Sequence, residues 1–171
     1  MVFGMTLATY TLFHVLLSLV GLSSGFVVLF GLITGRKLEN WTSLFLMTTV
    51  LTSLTGFGFP VQHLMPSHVL GTLSLIVLGL AIFARYARRV SGAWRKTYVI
   101  SATIALYFNS FVAVVQTFEK VPAFKALAPT QSEPPFVVAQ LAVLALFVTL
   151  GSLATIRFRE TPIQAARSAS A

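Results

Sequence analysis

Five long apolar runs, separated by short polar or proline-containing breaks, organise the 171-residue chain. A helix needs about 20 mainly apolar residues to cross about 30 Å of hydrocarbon. On that measure transmembrane spans are predicted over 6–33, 41–59, 67–84, 97–118 and 135–156. Each must be helical, because a lipid-facing backbone has no water to bond with. The runs lack the strand alternation of a barrel. The second run is the most polar, carrying Thr48, Thr49, Thr52, Ser53 and Thr55. Those hydroxyls can bond back to their own helix, so the run can span if that face is buried.

The breaks follow helix chemistry. Gly35 and Arg36-Lys37-Leu38-Glu39-Asn40 end the first run, and Pro60 ends the second. Ser67 suits an N-cap directly after Pro66. Ser91 or Gly92 interrupts the basic loop before the fourth run. Ser132-Glu133-Pro134-Pro135 is a start signal for the fifth: a capping side chain, an acid near the positive helix end, and proline in the first turn. Between the last two runs, Val121, Phe124, Leu127 and Ala128 share one face of a short helix bounded by Pro122 and Pro129. That helix is too short to span and is expected to lie in the outer interface.

Composition turns this pattern into a solvent. The chain is 56% hydrophobic and 9% charged, where a soluble domain has about a quarter of its residues charged. The predicted object is all-α: a polytopic membrane helix bundle, one five-helix domain over 1–160, with a disordered cytoplasmic tail over 161–171. Its first partner is the lipid bilayer. Residues 1–35 hold no Lys or Arg, so no basic n-region marks a cleavable signal and the first run is expected to be retained. Absence of cysteine excludes disulfides, thiolate metal sites, iron–sulfur ligation and cysteine nucleophiles.

The net charge of +8 would point to nucleic acid in a soluble protein. Here it reads as topology, and no nucleic-acid partner is expected. With five spans, all twelve basic residues except Lys120 and Lys125 fall on one side. The positive-inside rule then puts the N-terminus outside and the C-terminus in the cytoplasm. The 85–96 loop could also hold anionic lipid, with Trp94 and Tyr98 as interface anchors. Topogenic charge alone accounts for it.

Candidate chemistry comes from polar residues inside the apolar runs. Helices rise 1.5 Å per residue. Counted from the basic ends, His14 stands about 28 Å up, His68 about 27 Å, Gln140 about 26 Å and Gln116 about 30 Å, with Asn109 deeper at about 20 Å. Gln62, His63, Glu119 and Glu133 lie at or just above that layer. Thr11, His14, Ser18, Gly21 and Gly25 form one stripe, and Gly21-x-x-x-Gly25 favours close helix packing. Asn109, Val112, Gln116 and Glu119 form another, as do Thr48, Thr52 and Thr55, and His68, Gly71, Leu75 and Gly79. Polar stripes face the bundle rather than lipid. The expected result is an outer-facing pocket of His14, His68, Gln116, Gln140 and Asn109, walled by Phe13, Phe57, Phe59, Phe118 and Phe136. Gln116 and Gln140 are expected to complement His14.

Four readings of this layer stand side by side. A quinone-type ligand suits His and Gln donors beneath aromatic walls. A haem needs His14 and His68 to face each other. A divalent metal would use His63, His68, Glu119 and Glu133, a donor set suited to Zn, Fe or Mn. Alternatively the polar groups only bond one another as packing glue, in an accessory or structural subunit of a larger membrane complex or in a homo-oligomer. No nucleophile elbow or catalytic constellation is visible.

The segments Leu51-Thr-Ser-Leu-Thr-Gly-Phe57, Pro66-Ser-His68 and Ala128-Pro-Thr-Gln-Ser-Glu-Pro-Pro-Phe136 resemble those of a group of small bacterial inner-membrane proteins of uncharacterised activity. The resemblance implies a multi-pass protein of the bacterial inner membrane and brings no chemistry with it. Similarity to di-haem membrane cytochromes is one of pattern, since the two helical histidine pairs of those proteins are missing.

Overall fold

The computed structural model describes residues 4–60 and 66–158. Gln62 and His63, and the tail expected to be disordered, lie outside the described residues. Among those described there are six α-helices and no β-strand: α1 (Leu7–Ile33), α2 (Glu39–Gly56), α3 (Pro66–Ile82), α4 (Ala93–Lys120), α5 (Pro122–Leu127) and α6 (Pro134–Arg157). A π-helical turn, Phe83–Ala87, continues α3. Thr6 caps α1 by accepting the Thr9 backbone N–H, and Pro134 and Pro135 open α6 directly after Glu133. Chain neighbours pack as spatial neighbours. Helices α1, α2, α3, α4 and α6 form a closed ring in which α6 returns to α1, and α1 also touches α4 across the middle.

Four of these helices are long and apolar enough to cross a membrane: α1, α3 with its π-turn, α4 and α6. Helix α2 is not among them. It has 18 residues, and its threonines and serines dilute its apolar content. It is nonetheless held between α1 and α3, with Thr42, Phe45, Leu46, Thr48 and Thr49 buried. The predicted second span ends three residues early, at Gly56, because the chain turns there: the Phe57 and Gly58 N–H groups bond back to Leu54 and Thr55. Helix α4 extends beyond its predicted 97–118 at both ends.

The bundle has two unlike ends. At one, among the described residues, lie Arg36, Lys37, Arg85, Arg88, Arg89, Arg95, Lys96 and Arg157 with a single acid, Glu39. The Arg85 side chain is 5% exposed and pairs with Glu39 across α2 and the π-turn. Its guanidinium sits 5.2 Å from the Tyr98 ring centroid, a cation–π contact in a desolvated setting. Arg95 donates to the Thr155 and Phe158 carbonyls at the end of α6, where a cation complements the helix dipole. Tyr98 is fully buried, which corrects its expected role as an interface anchor: it is a platform under Arg85. The 88–92 connection holds Val90 at φ 59, left-handed and costly for a branched residue by about 1–2 kcal/mol. Burial of its side chain and a 3.0 Å bond from its N–H to Ala84 O offset that cost.

The half of the bundle next to this end is tightly packed by Leu29, Phe45, Leu78, Ala102 and Leu106. Gly25 fits into it at contact distance. A Cβ there would overlap Leu106 and lie 2.9 Å from the Phe45 ring. The Gly21–Gly25 pair therefore does what its spacing predicts, letting α1 approach α2 and α4.

Candidate functional site

At the opposite end the packing opens. His14 and Ser18 from α1, Thr49, Thr52, Ser53, Gly56 and Phe57 from α2 and its end, Ser67, His68, Gly71 and Ser74 from α3, and Phe108, Asn109 and Val112 from α4 enclose a cavity of about 120 Å³. Small residues make the room. A Cβ at Gly71 would meet the Phe57 ring at 3.2 Å, and one at Gly56 would lie 3.8 Å from His14 Cε1.

Each wall is set by a short polar bond. His14 Nδ1 is 2.8 Å from Thr55 Oγ1, and the imidazole meets the Phe59 ring edge-on at 5.2 Å. Tyr10 packs on the same Phe59 and donates its hydroxyl to the Thr55 carbonyl at 2.7 Å. Ser18 donates to Asn109 Oδ1 at 3.0 Å, joining α1 to α4. Ser53 donates to Ser74 at 3.1 Å, joining α2 to α3. The His68 ring lies 5.6 Å from Phe57.

On two of the lining residues a buried polar atom has no protein partner among the described residues: Thr49 Oγ1 and Asn109 Nδ2. Both point toward Gly21, where an added Cβ would stand 3.1 Å and 3.2 Å from them. Thr48, Thr52 and Thr55 bond back to their own helix, whereas the Thr49 hydroxyl does not. An unpaired buried polar group costs about 1–3 kcal/mol. Both atoms are sealed in the packing beside the cavity and are not open to it.

Three of the predicted residues, His14, His68 and Asn109, thus share one cavity. Two do not join them. Gln116 is exposed, and its Nε2 donates to Glu119 at 3.4 Å. Gln140 donates to the Phe111 carbonyl at 3.3 Å, tying α6 to α4. Equal height was the wrong guide for both, since α6 contributes no wall and Gln116 lies about two turns beyond Asn109. The partner of His14 is likewise Thr55 on α2, not a glutamine of α4 or α6.

The phenylalanine walls divide too. Phe57 lines the cavity and Phe59 buttresses His14, but Phe118 and Phe136 belong to a separate cluster with Phe124 that seats α5. Phe13 is 47% exposed on the outside of α1.

For the proposed metal set, His63 lies outside the described residues. Glu119 pairs with Lys120 at 3.1 Å. Glu133 accepts from the Thr130 N–H and hydroxyl and from the Ser132 N–H. These contacts hold its carboxyl below the usual carboxylate range: desolvation pushes it up, and the hydrogen bonds outweigh that. Among the described residues no three His, Cys, Asp or Glu side chains come together as a metal group. A haem faces a different obstacle. His14 and His68 both line the cavity, but its volume of about 120 Å³ is below the roughly 300–1,000 Å³ of drug-sized sites.

The residues that sequence reasoning passed over are Thr49, Ser53, Ser74 and Phe108. The density of hydroxyls in the second run was the available signal, because such a helix must turn them toward something polar.

Four helices long and apolar enough to cross a membrane give the class: a helical bundle of the multi-pass membrane type. The chain matches no protein-family model, no curated protein and no solved structure.

Proposed function

We propose that this is a five-span membrane protein that binds a small ligand, or the head of a lipid-soluble one, in the cavity around His14, His68 and Asn109. The observation that carries the reading is one space of about 120 Å³ lined by His14, His68 and Asn109 together with Thr49, Ser53 and Ser74. That volume admits about four waters or a single ring. Phe57 and Phe108 supply apolar faces beside the polar groups. A quinone-type head suits this division between aromatic wall and hydrogen-bonding groups.

In this reading α2 crosses the bilayer as the fifth span, its hydroxyls turned inward. The basic end faces the cytoplasm of a bacterial inner membrane, as the positive-inside rule directs, and α5 lies in the outer interface. The cavity then opens near the outer leaflet. Reporter fusions after Lys37 and Lys96 should both read cytoplasmic, and a periplasmic signal at either would sink the orientation. For the ligand, solvent extraction of the purified protein should release a quinone-type molecule in stoichiometric amount, and His14→Ala should lose it while still inserting.

A second reading, an accessory subunit without a ligand, draws support from α6. Its outward residues Val138, Leu141, Val148 and Ile156 are exposed, and an apolar groove of about 520 Å³ runs between α4 and α6. Purified protein without extractable ligand that co-purifies with other subunits would favour it.

A further inference from the structure

The groove between α4 and α6 starts beside cations and stops part-way along the bundle. Ile100, Ile104 and Tyr107 of α4 and Leu144, Val148 and Ile156 of α6 line about 520 Å³, inside the roughly 300–1,000 Å³ range of ligand sites. Its floor is the place where the two helices touch: a Cβ at Gly151 would stand 2.9 Å from Thr103 Cγ2. The Thr103 and Thr155 hydroxyls donate to the Val99 and Gly151 carbonyls of their own helices, so their protons are spent inside α4 and α6. Leu144 to Ile156 covers about 18 Å of α6 at 1.5 Å per residue. One leaflet of a hydrocarbon core about 30 Å thick is about 15 Å deep. The groove therefore follows a single leaflet, from the basic end to near mid-membrane. A transmembrane helix packed here would need contact over the full thickness, whereas an acyl chain needs only this half.

The mouth at the basic end is charged. Lys96 stands four residues before Ile100, so it shares the groove face of α4 one turn closer to that end, and it is exposed. Arg95 reaches the last turn of α6, where its Nη1 donates to the Thr155 and Phe158 carbonyls, and Thr155 is itself a groove residue. The one acid at this end among the described residues, Glu39, is paired with Arg85. Topogenic charge explains how many cations stand at this end. It leaves Lys96 and Arg95 at the mouth of an apolar groove with no carboxylate beside them among the described residues. A second copy of the chain is a poor source of one. Copies inserted the same way meet through the same patch on both, which would set one Lys96 against another.

We propose that the groove seats one acyl chain of an anionic phospholipid from the leaflet at the basic end, with the lipid phosphate held between Lys96 and Arg95. The chain fills the space between α4 and α6, and the headgroup supplies the missing negative charge. This site lies on the outer wall of the bundle and uses none of the residues around His14, so either site can stand without the other.

The test is native mass spectrometry of the full chain, stripped of lipid in detergent and titrated with palmitoyl-oleoyl phosphatidylglycerol or phosphatidylcholine. One phosphatidylglycerol per chain should bind saturably and about tenfold more tightly than phosphatidylcholine, the scale set by two basic residues near an anionic head. Lys96→Gln should weaken phosphatidylglycerol about fivefold. Arg88→Gln, the same change of charge over Trp94, should weaken it by less than about twofold. Ser152→Phe puts a ring into the groove wall at an exposed position and should weaken binding at least about tenfold by displacing the acyl chain. Equal affinity for the two lipids, equal losses in Lys96→Gln and Arg88→Gln, or undiminished binding in Ser152→Phe would each overturn the proposal. So would a dimer or a co-purifying polypeptide that Ser152→Phe releases, which would give the groove to a helix. Should Ser152→Phe not fold, the comparison of Lys96→Gln with Arg88→Gln decides alone.

Discussion

The two ends of the bundle both bury polar groups, and they handle them in opposite ways. At the basic end Arg85 is neutralised by Glu39 and rests on Tyr98, Arg95 closes the last carbonyls of α6, and apolar side chains fill the space beside them. At the other end the polar groups are uncharged hydroxyls, imidazoles and an amide. Unpartnered buried atoms occur at both ends, Arg85 Nε and Tyr98 Oη at the basic one and Thr49 Oγ1 and Asn109 Nδ2 at the other, but the latter two belong to residues that line a cavity. The first arrangement locks helices together. The second leaves a space among uncharged side chains. Substitutions at the two ends should therefore separate stability from binding.

The largest effect should come from the glycine pair. Gly25→Ala drives a methyl into Leu106 and Phe45, both buried side chains. Overpacking of this kind costs about 1–3 kcal/mol, and the upper end is expected. Gly21→Ala meets only polar atoms at 3.1–3.3 Å, so its stability cost should be under half as large, but ligand affinity should fall. Thermal unfolding in nanodiscs measures both. Equal losses of stability would erase the distinction between the ends.

Next comes Glu39→Ala. Removing one partner of a buried pair costs about 3–5 kcal/mol. The Glu39 side chain is 66% exposed, and solvent screening lowers that to about 1–2 kcal/mol. Adding Arg85→Met should recover most of the loss, since the stranded charge is then gone. A double variant no better than the single one would mean that Arg85 acts through Tyr98 and not through Glu39.

Asn109→Leu tests the cavity end with the opposite sign. It removes an unsatisfied buried donor at the expense of the Ser18 bond, a net intramolecular bond being worth about 0.5–1.5 kcal/mol. Stability should stay within about 1 kcal/mol of the parent or rise, while ligand binding is lost. A large destabilisation would make Asn109 packing glue.

Much of this contrast was legible in the sequence, and the part that was not has a geometric cause. Periodicity and turn chemistry located the helices, including α5 between its prolines, because lipid allows few alternatives. The α1 stripe of His14, Ser18, Gly21 and Gly25 points inward as its spacing requires, and so does Asn109. Height along a helix, however, fixes one coordinate and leaves out which helices surround a given layer. That is why Gln116 and Gln140 were grouped with His14 although α6 has no wall in the cavity. The Thr55 partner was hidden for a different reason. A threonine that bonds back to its own helix looks satisfied in sequence logic, yet its oxygen keeps lone pairs for a neighbour. The π-turn after α3 and the left-handed Val90 left no pattern to read.

The smallest expected effect is a pH dependence confined to the cavity end. Glu133 ends the turn before α6 by accepting three hydrogen bonds, from the Thr130 N–H and hydroxyl and the Ser132 N–H. They require the ionised carboxylate, which is also favoured beside the positive end of α6. The folded carboxyl therefore titrates below its ordinary value of 4.5. The sign follows from linkage: the unfolded chain binds this proton more readily, so the contribution is fully present above about pH 4.5 and is lost as pH falls through the depressed folded value. Hydrogen exchange at the Thr130 and Ser132 amides should accelerate relative to its intrinsic rate on acidification through that window. Amides near Arg85 and Tyr98 should show no such step there. Glu133→Gln keeps one acceptor oxygen and removes the charge, so it should flatten the profile at the level of the protonated parent. A step that persists in Glu133→Gln would mean that the Glu133 carboxylate does not hold the turn, which would then owe its order to Pro134 and Pro135.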